Sequence, residues 1–188
     1  MIHQLDISSI YKEYGSDLYA YARHLGFADD SAKDAIHDVF YKLCIGNYTC
    51  KSFVNLKLFL FRSLKNRLID IHRTNKEYAA TVSHEAYVYE NMGFNFNVTV
   101  EDELIEIEYR KEIKQKVEKV LSNLTNRQRE IVYLRYIHEY SYEEISELLN
   151  ISVESCRNSV SKSITLLKNT SLSLACILNI ISSLSYCK

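Results

Sequence analysis

The sequence predicts an all-α protein built as two small helical bundles, joined by a flexible linker, with a helix-turn-helix in the second. Three observations lead there. The 188 residues include no proline and only four glycines, so little interrupts a helix. Long stretches place an apolar residue at every third or fourth position, the period of one helix face. That period is lost between residues 78 and 100 and returns at Glu101, which divides the chain.

The first helix is expected over Ile7 to Leu25, where Ile7, Ile10, Tyr14, Leu18, Tyr21, Ala22 and Leu25 share one face and Gly26 ends the run. A second follows Asp29–Asp30, capped by Asp30 or Ser31. It reaches Gly46 and buries Ala32, Ala35, Ile36, Val39, Phe40 and Leu43. Turn chemistry in Asn47–Phe53 separates it from a third, about Val54 to Lys76. Residues 1–77 thus form one bundle, and residues 78–100, with Gly93 and no stable apolar stripe, read as the linker.

From Glu101 to Lys168 four helices are expected, at about 101–122, 126–138, 142–149 and 153–168. Their start signals are explicit. Thr125 with Gln128 and Ser141 with Glu144 have capping-box spacing, and Ser152 caps the last helix. Residues 169–188 carry an apolar run broken by Ser and Asn. It falls short of the ~18 clean apolar residues that a membrane span needs, and its role is left open.

Composition narrows the functional classes. At 47% hydrophobic the chain can bury a core, so it is not a disordered tail. A formal charge of −1 argues against tight, unaided nucleic-acid binding, because phosphate neutralisation by Lys and Arg supplies most of that affinity. The five cysteines form no CxxC pair and no His stands at zinc-ligand spacing from a cysteine pair, so no metal is expected. An odd cysteine count without a leader-like N-terminus fits reduced thiols in a cytoplasm.

The chemistry lies in SYEEISELLNISVESCRNSV, Ser141 to Val160. Two helices that cross steeply need apolar contacts and a small residue at the crossing. Ile145, Leu149, Ile151, Cys156 and Val160 supply the contacts, and Ser146 is the small residue. Asn150 stands where the turn requires a left-handed conformation, which Asn tolerates better than any residue but Gly. The second helix would expose Glu154, Ser155, Arg157, Asn158, Ser161 and Lys162. Its first amides with Ser152 or Ser155 suit a phosphate. Arg157 suits guanine or a phosphate, and Asn158 suits an adenine edge. A plain helical hairpin with solvated polar residues is the alternative on this pattern alone.

Three segments carry a family resemblance: DDSAKDAIHDVFYKLC, LKLFLFRSLKNRLIDIHR, and the run from LSNLTNRQRE through SYEEISELLNIS to LLK. From Ile7 to Lys168 the chain resembles bacterial RNA polymerase sigma factors of the sigma-70 family, in the small two-domain extracytoplasmic-function (ECF) subfamily. The first two segments are similar to region 2 of that family and the third to region 4. The resemblance also accounts for the modest charge, since core polymerase would supply most of the grip on DNA. Local charge agrees with it. The third helix carries six cations (Lys57, Arg62, Lys65, Arg67, Arg73, Lys76) against Asp70 and Glu77, whereas the second has four aspartates against Lys33 and Lys42.

By resemblance, the second helix would dock on core RNA polymerase through Asp34, His37, Asp38, Phe40 and Tyr41. The −10 promoter element would meet Asn47, Tyr48, Lys51, Asn55, Arg62, Lys65, Asn66 and Arg67, a basic track with an aromatic for an unstacked base. The −35 element would meet Arg127, Ser152, Ser155, Arg157, Asn158 and Lys162; Arg127 and Arg129 are each candidates for a phosphate or a polymerase contact. Many relatives have a second basic residue at the position of Ser159 and Gly at those of Asn150 and Glu154, which leaves the promoter sequence unreadable here. The resemblance implies a monomer when free and an anti-sigma partner, with no catalytic residue, cofactor or small-molecule substrate. Two rivals remain: a helix-turn-helix transcriptional activator with an N-terminal sensing or dimerisation module, and a DNA enzyme such as a recombinase. The second would need a nucleophilic Ser or Tyr beside clustered Arg, or a carboxylate cluster holding metal, and no such constellation stands out.

Overall fold

The computed structural model describes residues 6–46, 53–77, 93–95 and 121–168. All regular structure among them is helical, and the chain divides into two compact units, Met1–Gly93 and Phe94–Lys188.

In the first unit, α1 spans Ile7–His24, α2 Asp29–Ile45 and α3 Leu56–Glu77. Asp6 caps α1, its Oδ1 accepting from the amides of Ser8 and Ser9 at 3.1 and 3.2 Å. The other end closes through Gly26 at φ +88°. Its amide donates to the Arg23 carbonyl and that of Phe27 to the Ala22 carbonyl, a pairing that consumes two orphan acceptors. The α2 start differs from expectation. Ala28 is its N-cap and makes no side-chain cap bond, while Asp29 and Asp30 lie in the first turn, where carboxylates favour the positive end of the helix dipole. Asn55 opens α3, its side-chain oxygen accepting from the Leu58 amide at 3.0 Å, two residues later than the periodicity alone suggests.

The three helices pack on one another around Leu18, Tyr21, Ala22, Ile36, Leu60, Phe61, Leu64 and Leu68. Ala32 and Ala35 are fully buried on α2, small enough to bring α1 and α3 close. The Tyr21 and Phe61 rings meet at 5.2 Å between centroids, which ties α1 to α3.

In the second unit, α4 spans Asn126–Tyr136, α5 Tyr142–Leu149 and α6 Val153–Lys168. Both capping boxes form: Thr125 and Gln128 exchange bonds of 2.9 and 3.2 Å, Ser141 and Glu144 bonds of 2.8 and 3.1 Å. Ser152 accepts from the Ser155 amide at 3.1 Å and starts α6. Ile131, Tyr133, Leu134, Ile145, Leu149, Cys156, Val160 and Leu167 form the core. α4 ends two residues before the expected 138, because Glu139 takes a left-handed conformation (φ 57°) and turns the chain toward α5. Phe94, inside the stretch read as linker, is buried in this unit with its ring 5.3 Å from that of Tyr133. The helix expected over 101–122 lies outside the described residues up to 120, as does the tail from 169.

Candidate nucleic-acid and polymerase interfaces

The junction of α5 and α6 has the geometry expected of a helix-turn-helix. Asn150 is left-handed (φ 53°, ψ 51°), and the Ile151 amide reaches back to the Ser146 carbonyl at 3.1 Å. Ile145, Leu149, Cys156 and Val160 are buried between the helices. Burial pushes the Cys156 thiol above its usual range, so it acts as a small apolar residue and not a nucleophile. One side of α6 is left outside: Glu154, Ser155, Arg157, Asn158 and Lys162 are exposed, as is Ser152 before it.

Arg157 does not extend freely from that side. Its Nη2 lies 3.4 Å from Oε1 of Glu143, and its guanidinium carbon stands 5.6 Å from the centre of the Tyr142 ring. Arg135 lies 4.8 Å from the same ring centre, and its Nη1 donates to the Tyr140 carbonyl at 2.7 Å. Sequence reading missed this cluster, because Arg135, Tyr142 and Arg157 come together from three helices.

Arg127 is engaged within the unit. Its Nη2 donates to the Leu149 carbonyl at 3.4 Å, at the negative end of α5, and its Nη1 lies 3.6 Å from the buried carboxylate of Glu130. Arg129 is held by Asn126 and Asn95 at 2.7 and 3.2 Å, with its pKa lowered by burial.

On the first unit, Asp34, His37 and Tyr41 are exposed along α2, and Tyr41 is 64% exposed despite its ring. Phe40 is buried, as its periodicity predicts, and differs only from the docking role that the resemblance implies: its ring is edge-on to Tyr11 at 4.9 Å, because its α2 position points into the bundle. Lys65 differs likewise, at 2% exposure on the inward side of α3. Asp38 and Arg67, assigned to different partners, hold each other across α2 and α3 with Oδ2 2.6 Å from Nε. They line a cleft with Lys42, Phe59, Ser63 and Asn66. Arg62 and Asn66 are exposed, Asn55 is committed to its cap, and Asn47, Tyr48 and Lys51 lie outside the described residues. Among the described residues no His, Cys, Asp or Glu cluster could hold a metal, and no helix is long and apolar enough to cross a membrane.

Two family profiles match this arrangement. Residues 10–78 match Sigma-70 region 2, and residues 114–167 match Sigma-70 region 4, together more than half of the chain. The chain belongs to the sigma-70 family. It is a sigma factor of the ECF type, a transcription initiation factor that works with core RNA polymerase on promoters. Among its relatives is the ECF RNA polymerase sigma factor SigM of Bacillus subtilis (strain 168), 26% identical over 148 residues, or 79% of this chain and 84% of that protein. Its fold is similar to that of the sigma factor RpoE, solved with the anti-sigma factor NepR from Bartonella quintana. The TM-score is 0.56 at 20% identity, over 87% of this chain and 94% of that one. In this sigma factor the helix-turn-helix falls within the region 4 match, and the α2–α3 surface within region 2.

Proposed function

We propose that the two units divide promoter recognition. Residues 1–77 dock on core polymerase and meet the −10 element, residues 101–168 read the −35 element, residues 78–100 join them, and the role of the apolar run in residues 169–188 is left open. The observation that carries this reading is the exposed polar side of α6, seated behind a left-handed Asn150 in a helix-turn-helix.

On the first unit the docking residues are Asp34, His37, Asp38 and Tyr41. Arg62, Asn66 and Arg67, with Asn47, Tyr48 and Lys51 of the preceding loop, serve the −10 element. On the second, Ser152, Ser155, Arg157, Asn158 and Lys162 serve the −35 element. Phe40, Lys65, Asn55 and Arg127 act indirectly, through packing, capping or internal bonds. The solved fold relative is bound to an anti-sigma factor, which supports a partner of that kind for this chain. The protein acts in the cytoplasm, is monomeric when free, and uses no catalytic residue or cofactor. The region 2 match over residues 10–78 disfavours the activator reading, which needs a sensing or dimerisation module there.

Reconstituted transcription tests the proposal. The purified chain is combined with core polymerase from its host on fragmented host DNA, and RNA 5′ ends are sequenced. Starts that cluster behind a shared two-part motif are expected. No initiation and no co-migration with core in gel filtration would sink it in favour of a free-standing activator.

A further inference from the structure

In the second unit the proposed DNA contact Arg157 sits in a cluster with Arg135, Tyr142 and Glu143, whose roles the promoter reading leaves open. α6 has a single arginine in its first two turns, and that arginine is not left to wander. Its guanidinium lies over the Tyr142 ring at 5.6 Å and meets the Glu143 carboxylate at 3.4 Å. The Tyr142 ring also meets Arg135, at 4.8 Å, and Arg135 is anchored on the Tyr140 carbonyl at 2.7 Å. The chain of contacts thus runs from the α4 terminus through the first residue of α5 to the reading helix.

The Arg157–Glu143 pair adds little to stability. The side chains of Arg157 and Glu143 are 61% and 65% exposed, a setting in which ion pairs add little. Its physical effect is on freedom. A long arginine loses much rotamer freedom when it docks on a base, and prior stacking removes part of that cost before DNA arrives. Glu143 takes up only part of the planar fork, so further N–H donors remain for a base edge or phosphate.

We propose that Tyr142, backed by Arg135 and helped by Glu143, is a positioning residue that pre-sets Arg157 for recognition of the −35 element, and thereby sets base specificity without touching a base. This rests on the reading of Arg157 as a DNA contact, and the test separates the two.

A promoter taken from a start mapped on host DNA has its upstream element randomised. Holoenzyme assembled from the full chain transcribes the pool, and preference at each position is read as a ratio within one reaction. A fraction of misfolded chain cancels from that ratio. Arg157→Ala should flatten preference at one or two positions by roughly fivefold or more, the scale of one lost base contact. Tyr142→Leu should flatten the same positions about two- to fivefold, the scale of one exposed cation–π contact. Tyr142→Phe should retain the preference, since the ring and not the hydroxyl does the holding, and Tyr142→Leu should add nothing to Arg157→Ala. If Arg157→Ala flattens the profile and Tyr142→Leu leaves it intact, the positioning role is wrong. If Arg157→Ala itself leaves every position unchanged, the underlying assignment of Arg157 fails, and the proposal with it.

Discussion

Glu139 shows how a single residue can stand in conflict with its surroundings. It is exposed, yet held at φ 57°, where a side chain with a Cβ costs roughly 1 kcal/mol or more. The turn persists because Tyr140 is buried behind it, with its amide on the Leu134 carbonyl at 3.1 Å. Glu139→Asn keeps a polar side chain and tolerates the left-handed conformation, so it should stabilise the second unit by about 0.5 kcal/mol. Thermal melts of the two proteins decide the point, and a lower midpoint for the variant would contradict it. The residue was legible as surface in the sequence, but its backbone conformation was not, because no turn signature marks His138–Tyr140.

At the scale of elements, helix starts were written more plainly than helix ends. The Thr125 and Ser141 boxes and the Ser152 cap sit where their spacing placed them, since each bond joins residues three apart. The α2 start slipped because dipole and packing suffice there without a side-chain cap. The α5–α6 turn allows a sharp test. Asn150→Ala should destabilise the second unit by roughly 1–2 kcal/mol, while Asn150→Gly should be close to neutral. Equal losses for both variants in urea melts would show that the Asn side chain, and not its backbone conformation, holds the turn.

The whole molecule has two apolar cores in one chain. Phe61, fully buried against Tyr21 in the first, should cost about 3–5 kcal/mol when changed to Ala. Hydrogen exchange in the full chain should then show lost protection in α1 to α3 and unchanged protection in α5 and α6. Parallel losses in both units would mean that they unfold together. At this scale the modest net charge of −1 also finds its place: promoter affinity in a sigma factor is shared with core polymerase, so the chain need not supply a strongly basic surface of its own.

What the sequence determined by itself was local or periodic. It specified the helical class, the capping boxes, the left-handed Asn150 and the segments that carry the family match, because each depends on residues within a few positions of one another. What the tertiary structure decided was which side chains share a place. The resemblance puts Lys65 on the basic track, yet its turn of α3 points inward. Arg127 reads as a phosphate contact, and packing also brings its Nη2 to the Leu149 carbonyl at the end of α5. Asp38 and Arg67 stand 29 residues apart and bond to each other, and Tyr142 gathers Arg135 and Arg157 from flanking helices. The reason is physical: helical periodicity gives the direction of a side chain about its own axis, but only packing says which other axis lies on that side.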